Sequence, residues 1–330
     1  MTYDTVTSAP VTSAPVTSTP VTSDCAPLDP IHDGRHKLRD APLARESTVF
    51  CIMLPEHGVA GWVYPRVTGD GLAGGTICAF GPGVPGGSIF ESFRNVPVPA
   101  SADFTDWDVG GVKLKLTDPL RTAHIVYEGE RVGMDFTFEA THPAYGYSSH
   151  PDGCPQYFAD DRFEQGGKIK GRIMIEGKAI EFDTFGVRDH SWGTRNWGVN
   201  YHYKWFHAVS GDTSIHFFKM EYLGRHLIRG YVFKDGHMSQ ITDVNVVDFE
   251  LDAEMIHKAI EVRITDLAGR STHITGTHFA HQVYPIDELN ILNEVALTTV
   301  IDGRPGLGWC EMYWDSRYLA HMKQFPDLRR

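Results

Sequence analysis

The chain of 330 residues is poor in cysteine, has no long apolar run and carries fewer basic than acidic residues. Its five cysteines are odd in number and never spaced as Cys-x-x-Cys, which favours free thiols in a reducing compartment over a disulfide framework or a zinc site. A run of about 18 apolar residues is missing, so no membrane helix is predicted. The first residues also lack the cation and the apolar block of a secretory signal. We therefore expect a cytoplasmic protein without a membrane span.

Basic residues are the second shortage, with 30 Lys and Arg against 42 Asp and Glu and a net charge of −12. Nucleic acids and anionic membrane surfaces are bound through Lys and Arg, so neither is an expected partner. The glycine-rich stretches 69–75 and 81–87 are not followed by a lysine or a predicted helix, so they indicate hairpin loops rather than phosphate sites. Nothing indicates a nicotinamide or flavin site, and no cofactor is expected.

The first residues differ in composition from the rest of the chain. Val-Thr-Ser-Ala-Pro stands three times in tandem within residues 1–24, with threonine for alanine in the third copy. Such a segment cannot bury enough apolar surface to offset its ordering entropy. We therefore predict that residues 1–40 form a disordered, low-complexity tail.

The remainder predicts an all-β protein. From about residue 45, short runs of Val, Ile, Phe and Tyr are punctuated by Gly, Pro, Asp or Asn, and Met134–Glu139 alternates with the period of two typical of a half-buried strand. Only Leu319–Gln324 predicts a short helix. Roughly seventeen strands are more than a single soluble barrel usually contains, and this number suits two stacked antiparallel β-barrels. The irregular stretch 141–167 suggests the seam, so we divide the chain into barrel domains at 41–155 and 156–330.

The most informative stretch is Phe185–Gly198, which the second predicted domain would carry. Its fourteen residues include Arg188, Asp189, His190, two tryptophans and three glycines. A core strand does not tolerate such polarity unless each polar group has a partner. Dense polar groups beside large aromatics are typical of a buried ligand site, so a hydrophobic small molecule is the expected partner. The sequence leaves formation of a homodimer open.

Within this stretch the string Gly186–Arg195 resembles the Asp-His-x-Trp-Gly signature of two-domain lipocalin-like proteins, which include carotenoid 1,2-hydratase (hydroxyneurosporene synthase) and AttH-type proteins. The fuller string Arg-Asp-His-Ser-Trp-Gly-x-Arg resembles a bacterial branch of that group. Arg162–Gly167, Gly306–Glu311 and Leu54–Gly58 support the resemblance. It implies two lipocalin-like (calycin) β-barrels with a ligand cavity at their interface or mouth. Similar proteins include hydratases, Diels–Alder-type cyclases and members without known activity, so fold does not fix the reaction.

Asp189 is the candidate general acid, because burial beside tryptophans would raise its pKa and keep it protonated. His190 is the second catalytic candidate, although neighbours on a strand point to opposite faces, so only one of the two enters a cavity. An arginine paired directly with Asp189 would lower its pKa and oppose the acid role. Candidate substrate-binding residues are the indoles of Trp192, Trp197 and Trp205, for a developing cation, and Arg188 and Arg195, for a polar substrate end.

The same polar residues also fit a closed hydrogen-bond network with a purely structural role. Histidines at 202, 207 and 216 lie on neighbouring predicted strands. The spacings between His273, His278 and His281 place neighbouring members of that set on opposite strand faces, so we expect no metal site.

Three functions therefore stay open. The first is a cofactor-independent lyase or isomerase that hydrates or cyclises a terpenoid- or polyketide-like molecule by acid–base catalysis. The second is a non-catalytic, lipocalin-like binding protein for an apolar ligand. The third is a partner-binding scaffold, which a stretch as polar as 185–198 favours least.

Overall fold

The computed structural model describes residues 22–99, 101–325 and 327, and most of them form antiparallel strands. The first twelve strands are β1 (Thr22–Ser23), β2 (Ala44–Leu54), β3 (Val59–Thr68), β4 (Leu72–Phe80), β5 (Ser88–Pro97), β6 (Asp106–Val109), β7 (Val112–Asp118), β8 (Thr122–Glu128), β9 (Val132–Ala140), β10 (Tyr145–Gly146), β11 (Asp161–Ile175) and β12 (Lys178–Thr194). Strands β2 to β12 form one sheet, ordered β5-β4-β3-β2-β12-β11-β9-β8-β7-β6 with β10 beside β11. This sheet curls into a nearly closed barrel.

The second barrel is closed. Its strands are β13 (His202–Ser210), β14 (Thr213–Tyr222), β15 (Arg225–Lys234), β16 (His237–Leu251), β17 (His257–Asp266), β18 (Ser271–Pro285), β19 (Asn290–Ile301) and β20 (Arg304–Asp315). Pairing of β16 with β17 closes the ring, and β1 adds in parallel to the edge of β16. The prediction of an all-β protein with two barrels is confirmed.

One short helix follows the last strand. Helix α1 (Ser316–Met322) begins after Asp315, whose carboxylate accepts hydrogen bonds from the backbone N–H groups of Arg317 and Tyr318. It overlaps the predicted helix and begins three residues earlier. Among the described residues, no helix has the length and apolar character needed to cross a bilayer.

The sheet pairing differs from the predicted division at residue 156. Strands β11 and β12 pair with each other along fifteen residue pairs, and β12 also pairs with β2. Both strands therefore belong to the first barrel, and so does the segment of the polar stretch up to Thr194. The pattern of a strand does not reveal which distant strand pairs with it, and the paired residues of β2 and β12 are about 140 positions apart in the chain.

Residues 22–40, which were predicted to belong to a disordered tail, are ordered: β1 pairs with β16 of the second barrel, and the residues around Asp33 pack on the first barrel. Asp33 is buried, forms an ion pair with Arg188 at 2.9 Å and accepts a hydrogen bond from the backbone N–H of Leu120. The composition of the tail gave no sign of these contacts, because their partners lie far along the chain. The predicted disorder of residues 1–21 lies outside the described residues.

Side-chain alternation separates the buried apolar side chains of the described residues into three large cores and one small cluster around Phe163 and Trp192. One fills the first barrel and includes Phe50 and Ile52, and another fills the second barrel and includes Phe206 and Val295. The third lies between the barrels and includes Val187, Trp205 and Trp309. Since successive residues of a strand point to opposite faces, the strands at the interface contribute alternately to a barrel interior and to the space between the barrels.

Candidate active site

A cavity of about 310 Å³ lies between the two barrels. It is lined by side chains on the outer faces of β2, β3 and β12 of the first sheet and of β13, β19 and β20 of the second. Nine aromatic side chains contribute to its wall: Trp62, Tyr64, Phe158, Trp197, Tyr203, Trp205, Phe218, Tyr284 and Trp309. Eight charged side chains join them: Arg45, Arg66, Arg94, Arg162, Arg195, Asp189, Glu294 and Glu311. Apolar walls with converging polar groups are typical of a small-molecule site.

Four of the seven residues singled out in the sequence line this cavity. They are Asp189, Arg195, Trp197 and Trp205. The guanidinium of Arg195 lies over the rings of Phe158 and Trp197 and donates a hydrogen bond to Ser191 Oγ at 2.7 Å. Burial lowers the pKa of Arg195 to about 10.

The other three point away from the cavity, which corrects their predicted roles. Arg188, His190 and Trp192 alternate with Asp189 along β12, so their side chains lie on the opposite face. Arg188 pairs with Asp33 inside the first barrel, and His190 Nε2 lies 2.9 Å from Glu46 Oε1. Trp192 stacks on His36 with ring centroids 3.7 Å apart. These three residues hold the amino-terminal segment against the barrel and do not reach a ligand in the cavity.

Asp189 belongs to a carboxyl pair on the first sheet. It lies directly opposite Glu164 across β11 and β12, and one Arg162 nitrogen, Nη2, lies 2.5 Å from an oxygen of each. Glu164 also accepts hydrogen bonds from Trp205 Nε1 and lies 3.0 Å from His207 Nε2. The Oδ1 atom of Asp189 is buried without a hydrogen-bond partner among the described residues. Asp189 is therefore a cavity-lining carboxyl group with one oxygen that no donor in the described part of the chain occupies.

Burial decides the charge state of this pair. It raises the pKa of Asp189 to about 6, although Arg162 acts in the opposite direction. Burial also raises the pKa of Glu164 to about 7 against the same arginine. Arg162 lowers the pKa of Asp189, as expected of a directly paired arginine, but it is shared with Glu164, and desolvation outweighs its attraction, so that the pKa is raised.

A second carboxyl pair lies on the second sheet. Glu294 and Glu311 are cross-strand neighbours on β19 and β20. Trp309 Nε1 donates a hydrogen bond to Glu294 Oε2 at 2.7 Å, and the hydroxyl of Tyr203 donates one to Glu311. Burial and the neighbouring Glu311 hold the pKa of Glu294 well above its usual range. Burial also raises the pKa of Glu311, which accepts hydrogen bonds from Glu294 and Tyr203. Burial and the mutual repulsion of the two carboxyl groups therefore favour a shared proton on this pair, and Glu294 has the more strongly raised pKa.

Sequence reasoning missed Arg162, Glu164, Glu294 and Glu311 as site residues. Arg162, Glu164 and Glu311 stood in strings that carried the family resemblance, but no role was assigned to them. Glu294 interrupts an apolar strand at a position where alternation places a side chain on the interface side. The sequence did contain a signal for this residue: a charged side chain in an apolar strand, at a position where alternation predicts burial.

Two clusters of the described residues have ligand atoms close enough for a metal ion: His36, Glu46 and His190, and Glu164, His207 and His216. The carboxylate of Glu46 lies 2.7 Å from His36 Nδ1 and 2.9 Å from His190 Nε2. In the second cluster Arg162 pairs with Glu164, so a metal cation would face a guanidinium. Hydrogen bonds and ion pairs account for both arrangements.

The other histidines are separate from the cavity. His202 lies inside the second barrel beside Trp314, with ring centroids 4.0 Å apart. His278 and His281 were expected on opposite faces of β18, but a bulge between His278 and Ala280 brings their rings to 5.7 Å. A one-residue insertion shifts the alternation of the strand that follows, which residue spacing alone does not reveal.

Comparisons with known proteins place the fold in a group. A family model described as "Domain of unknown function (DUF7064)" matches residues 29–316. No curated protein sequence matches the chain. An AttH-type protein from Nitrosomonas europaea has a similar structure, with a TM-score of 0.60 at 14% identity over 89% of this chain and 98% of its own.

Two further solved structures are similar to the same extent. Kievitone hydratase from Nectria haematococca has a TM-score of 0.60 at 12% identity, covering 91% of this chain and 96% of its own. CghA, in a structure with Sch210972, has a TM-score of 0.59 at 12% identity, covering 83% and 89%. The expected similarity to AttH-type two-barrel proteins is confirmed at the level of the fold.

Proposed function

This chain belongs to the DUF7064 family, and we propose that it is a cofactor-independent lyase or isomerase, a hydratase or cyclase of a hydrophobic small molecule. The observation that carries the proposal is the buried cross-strand pair of Glu294 and Glu311, whose pKa values burial raises, in the same aromatic cavity as Asp189. A carboxyl group that keeps its proton near neutral pH can act as a general acid. One solved structure of the same fold is that of a hydratase, which agrees with this reaction class.

The pair can complete a hydration without a cofactor. Glu294 transfers its proton to one carbon of an alkene, and a water molecule adds its oxygen to the other carbon. The added water then gives one proton back to the carboxylate pair, which regains its starting charge. In a cyclisation, a second alkene carbon takes the place of water, and the proton returns from the carbon next to the new cation.

Asp189 is a second proton donor or acceptor in the same cavity. Its unpartnered Oδ1 and its pKa of about 6 suit a group that accepts a proton from water or delivers one to substrate. The variants described below separate its role from that of Glu294.

The aromatic wall favours a terpenoid- or polyketide-like skeleton. Indole faces such as those of Trp197 and Trp205 stabilise a developing cation by ~1–2 kcal/mol each when they are desolvated. The same wall keeps bulk water from the cation, so that only a positioned water or alkene reacts.

A binding protein without catalysis is the second candidate. The observation that favours it is the ion pair between Arg162 and Asp189, which belongs to a network that Glu164 and Trp205 complete. A buried polar network can fix the shape of a ligand site without taking part in a reaction.

The decisive experiment compares the chain with its Glu294→Gln and Asp189→Asn variants after incubation with a lipophilic extract of the cells that produce it. Liquid chromatography with mass spectrometry then follows every component. We expect the unmodified chain to change one compound by the mass of one water, or to shift its retention at constant mass. We expect Glu294→Gln to reduce this conversion by at least about a hundredfold, the usual range for a lost general acid.

The exposed Glu250→Gln variant is the matched control and should convert the compound at the full rate. Circular dichroism of each variant checks that the barrels are folded. Full conversion by Glu294→Gln together with none by Asp189→Asn would move the acid role to Asp189. Enrichment of one unaltered compound by all variants would replace the enzyme with the binding protein.

A further inference from the structure

Three arginines at the more exposed end of the cavity have no carboxylate partner. Arg45, Arg66 and Arg94 all line the cavity, with Arg94 exposed and the other two half-buried. Arg45 donates a hydrogen bond to the hydroxyl of Tyr64 at 2.6 Å, and its Nε is buried without a partner. Within the described ranges, the side chains of Arg66 and Arg94 form no hydrogen bond or ion pair. Three guanidinium groups without an ion-pair partner concentrate positive charge in this part of the cavity.

The backbone brings these guanidinium groups together. Ser47, Arg66 and Gly74 are register partners across β2, β3 and β4, and Arg94 lies on β5 beside the irregular pairing at Ala73 and Gly75. A Cβ atom at residue 74 would lie 3.1 Å from an Arg66 nitrogen, so the glycine leaves space for the guanidinium. The guanidinium of Arg66 thus lies beside a glycine of the sheet, where no side chain occupies the space next to it.

Like charges destabilise this arrangement when nothing is bound. Burial and the neighbouring Arg45 and Arg94 lower the pKa of Arg66. Arginines that repel one another and have no carboxylate partner within the protein are typical of a site that binds an anionic ligand. The other two arginines of the cavity differ, because Arg162 pairs with Glu164 and Asp189 and Arg195 binds protein oxygens.

We propose that Arg45, Arg66 and Arg94 form a carboxylate-binding subsite, so that the substrate is a lipophilic carboxylic acid. This inference rests on the proposed function in taking the cavity as the substrate site. The planar guanidinium of Arg66 binds a carboxylate through two parallel hydrogen bonds, and Arg45 Nε gains the partner it lacks.

The subsite also sets the direction of the substrate. Trp62 contacts Tyr284 and Trp309, with ring centroids 6.0 and 6.2 Å apart, and Trp309 donates its hydrogen bond to Glu294. A continuous aromatic wall therefore leads from the arginines to the carboxyl pair of Glu294 and Glu311. A carboxylate anchored at one end places the apolar body along this wall, with its alkene toward Glu294.

Competition between two ligands that differ only in the head group tests the subsite. Decanoate and 1-decanol each displace the neutral fluorescent probe N-phenyl-1-naphthylamine from the full chain, and calorimetry measures decanoate binding directly. We expect the unmodified chain to bind decanoate at least about tenfold more tightly than decanol. The Arg66→Gln and Arg94→Gln double variant should lose this preference and keep its affinity for decanol.

The exposed Arg225→Gln variant, on β15 and outside the cavity, should keep the preference. Equal affinity for both ligands in the unmodified chain, an absence of decanoate binding in calorimetry, or a preference that survives in the double variant would each overturn the subsite. Decanoate is saturated and is not converted, so this outcome does not depend on catalysis. A confirmed preference without any conversion of the cell extract would reject the proposed reaction and keep the subsite.

Discussion

Four carboxyl groups and two guanidinium groups meet at the buried end of the cavity. If Glu164, Asp189, Glu294 and Glu311 were all ionised, Arg162 and Arg195 would leave two negative charges uncompensated in a water-poor space. Such charges are costly where the dielectric is low, so protons are retained. Burial raises the pKa of all four carboxyl groups, and the neighbouring Glu311 adds to this effect for Glu294. Protons are thus retained at this end of the cavity because desolvation outweighs the attraction of the nearby guanidinium groups.

Two tryptophans of the same strand–loop stretch should behave differently when they are replaced. Trp197 lines the cavity, whereas Trp192 stacks on His36 on the other side of β12. We expect Trp197→Ala to weaken binding of N-phenyl-1-naphthylamine about tenfold, because an aromatic wall is lost. Trp192→Phe keeps a ring against His36 and should leave the affinity unchanged. Fluorescence titration measures both, and a weaker affinity only in Trp192→Phe would contradict the placement.

The sequence could predict one part of this site and not the other. Alternation along one strand is local, so it showed that only one of Asp189 and His190 could reach a cavity. It could not choose the side for Trp192 or Arg188, because the inward face depends on which strands pair with β12. Glu294 and Glu311 join the site only through the contact between two barrels, which no local pattern records.

At the scale of elements, the segment 28–38 packs on the first barrel as an integral part of it. Its 3-10 helix, Pro30–Asp33, places Asp33 against Arg188 within the barrel. Leu28 and Leu38 pack against a buried cluster that includes Phe163 and Trp192. The barrel is not fully closed by its own strands, and this segment covers polar and apolar groups that would otherwise meet water.

Removing the charge of Asp33 tests this role. Asp33→Asn leaves Arg188 as an uncompensated buried cation and should lower the free energy of unfolding by ~3–5 kcal/mol. The exposed Asp106→Asn, which loses only a surface ion pair with Lys115, should cost less than ~1 kcal/mol. Urea unfolding followed by tryptophan fluorescence measures both values. A loss for Asp33→Asn as small as that of the control would mean that the segment contributes little to the fold.

The elements themselves were mostly visible in the sequence. The alternation of Met134–Glu139 predicted β9, whose burial alternates along its length. A strand pattern does not reveal which strand lies beside it. Because β12 pairs with β2, the polar stretch belongs to the first barrel and not to the second, where it was predicted. The prediction of a disordered tail up to residue 40 failed for a similar reason. The low-complexity composition is confined to residues 1–24 and does not indicate that Asp33 has a distant partner.

At the scale of the whole molecule, buried histidines and buried acids give stability opposite dependences on pH. Burial lowers the pKa of His207 and His257 to about 3 and that of His142 to about 4. The unfolded chain binds protons on these groups at pH values where the folded chain does not, so they lower stability as the pH falls below about 6.5. The acids act in reverse, because their folded pKa values are raised and the unfolded chain ionises first.

Stability should therefore decline above pH 6.5, where these histidines are neutral in both states and the carboxyl groups alone contribute. Burial raises the pKa of Glu164 from 4.5 to about 7, so most of its loss of stabilisation, ~3 kcal/mol in all, occurs below pH 6.5 and only the last part falls above it. Glu294 extends the loss to higher pH, because its pKa lies well above the usual range. We expect Glu294→Gln, which cannot ionise, to show a shallower decline between pH 6.5 and 8.5 than the unmodified chain, whereas the exposed Glu250→Gln should follow the unmodified chain. Urea unfolding at three pH values measures the slopes, and an equal decline in Glu294→Gln would show that Glu294 does not hold its proton in the folded protein.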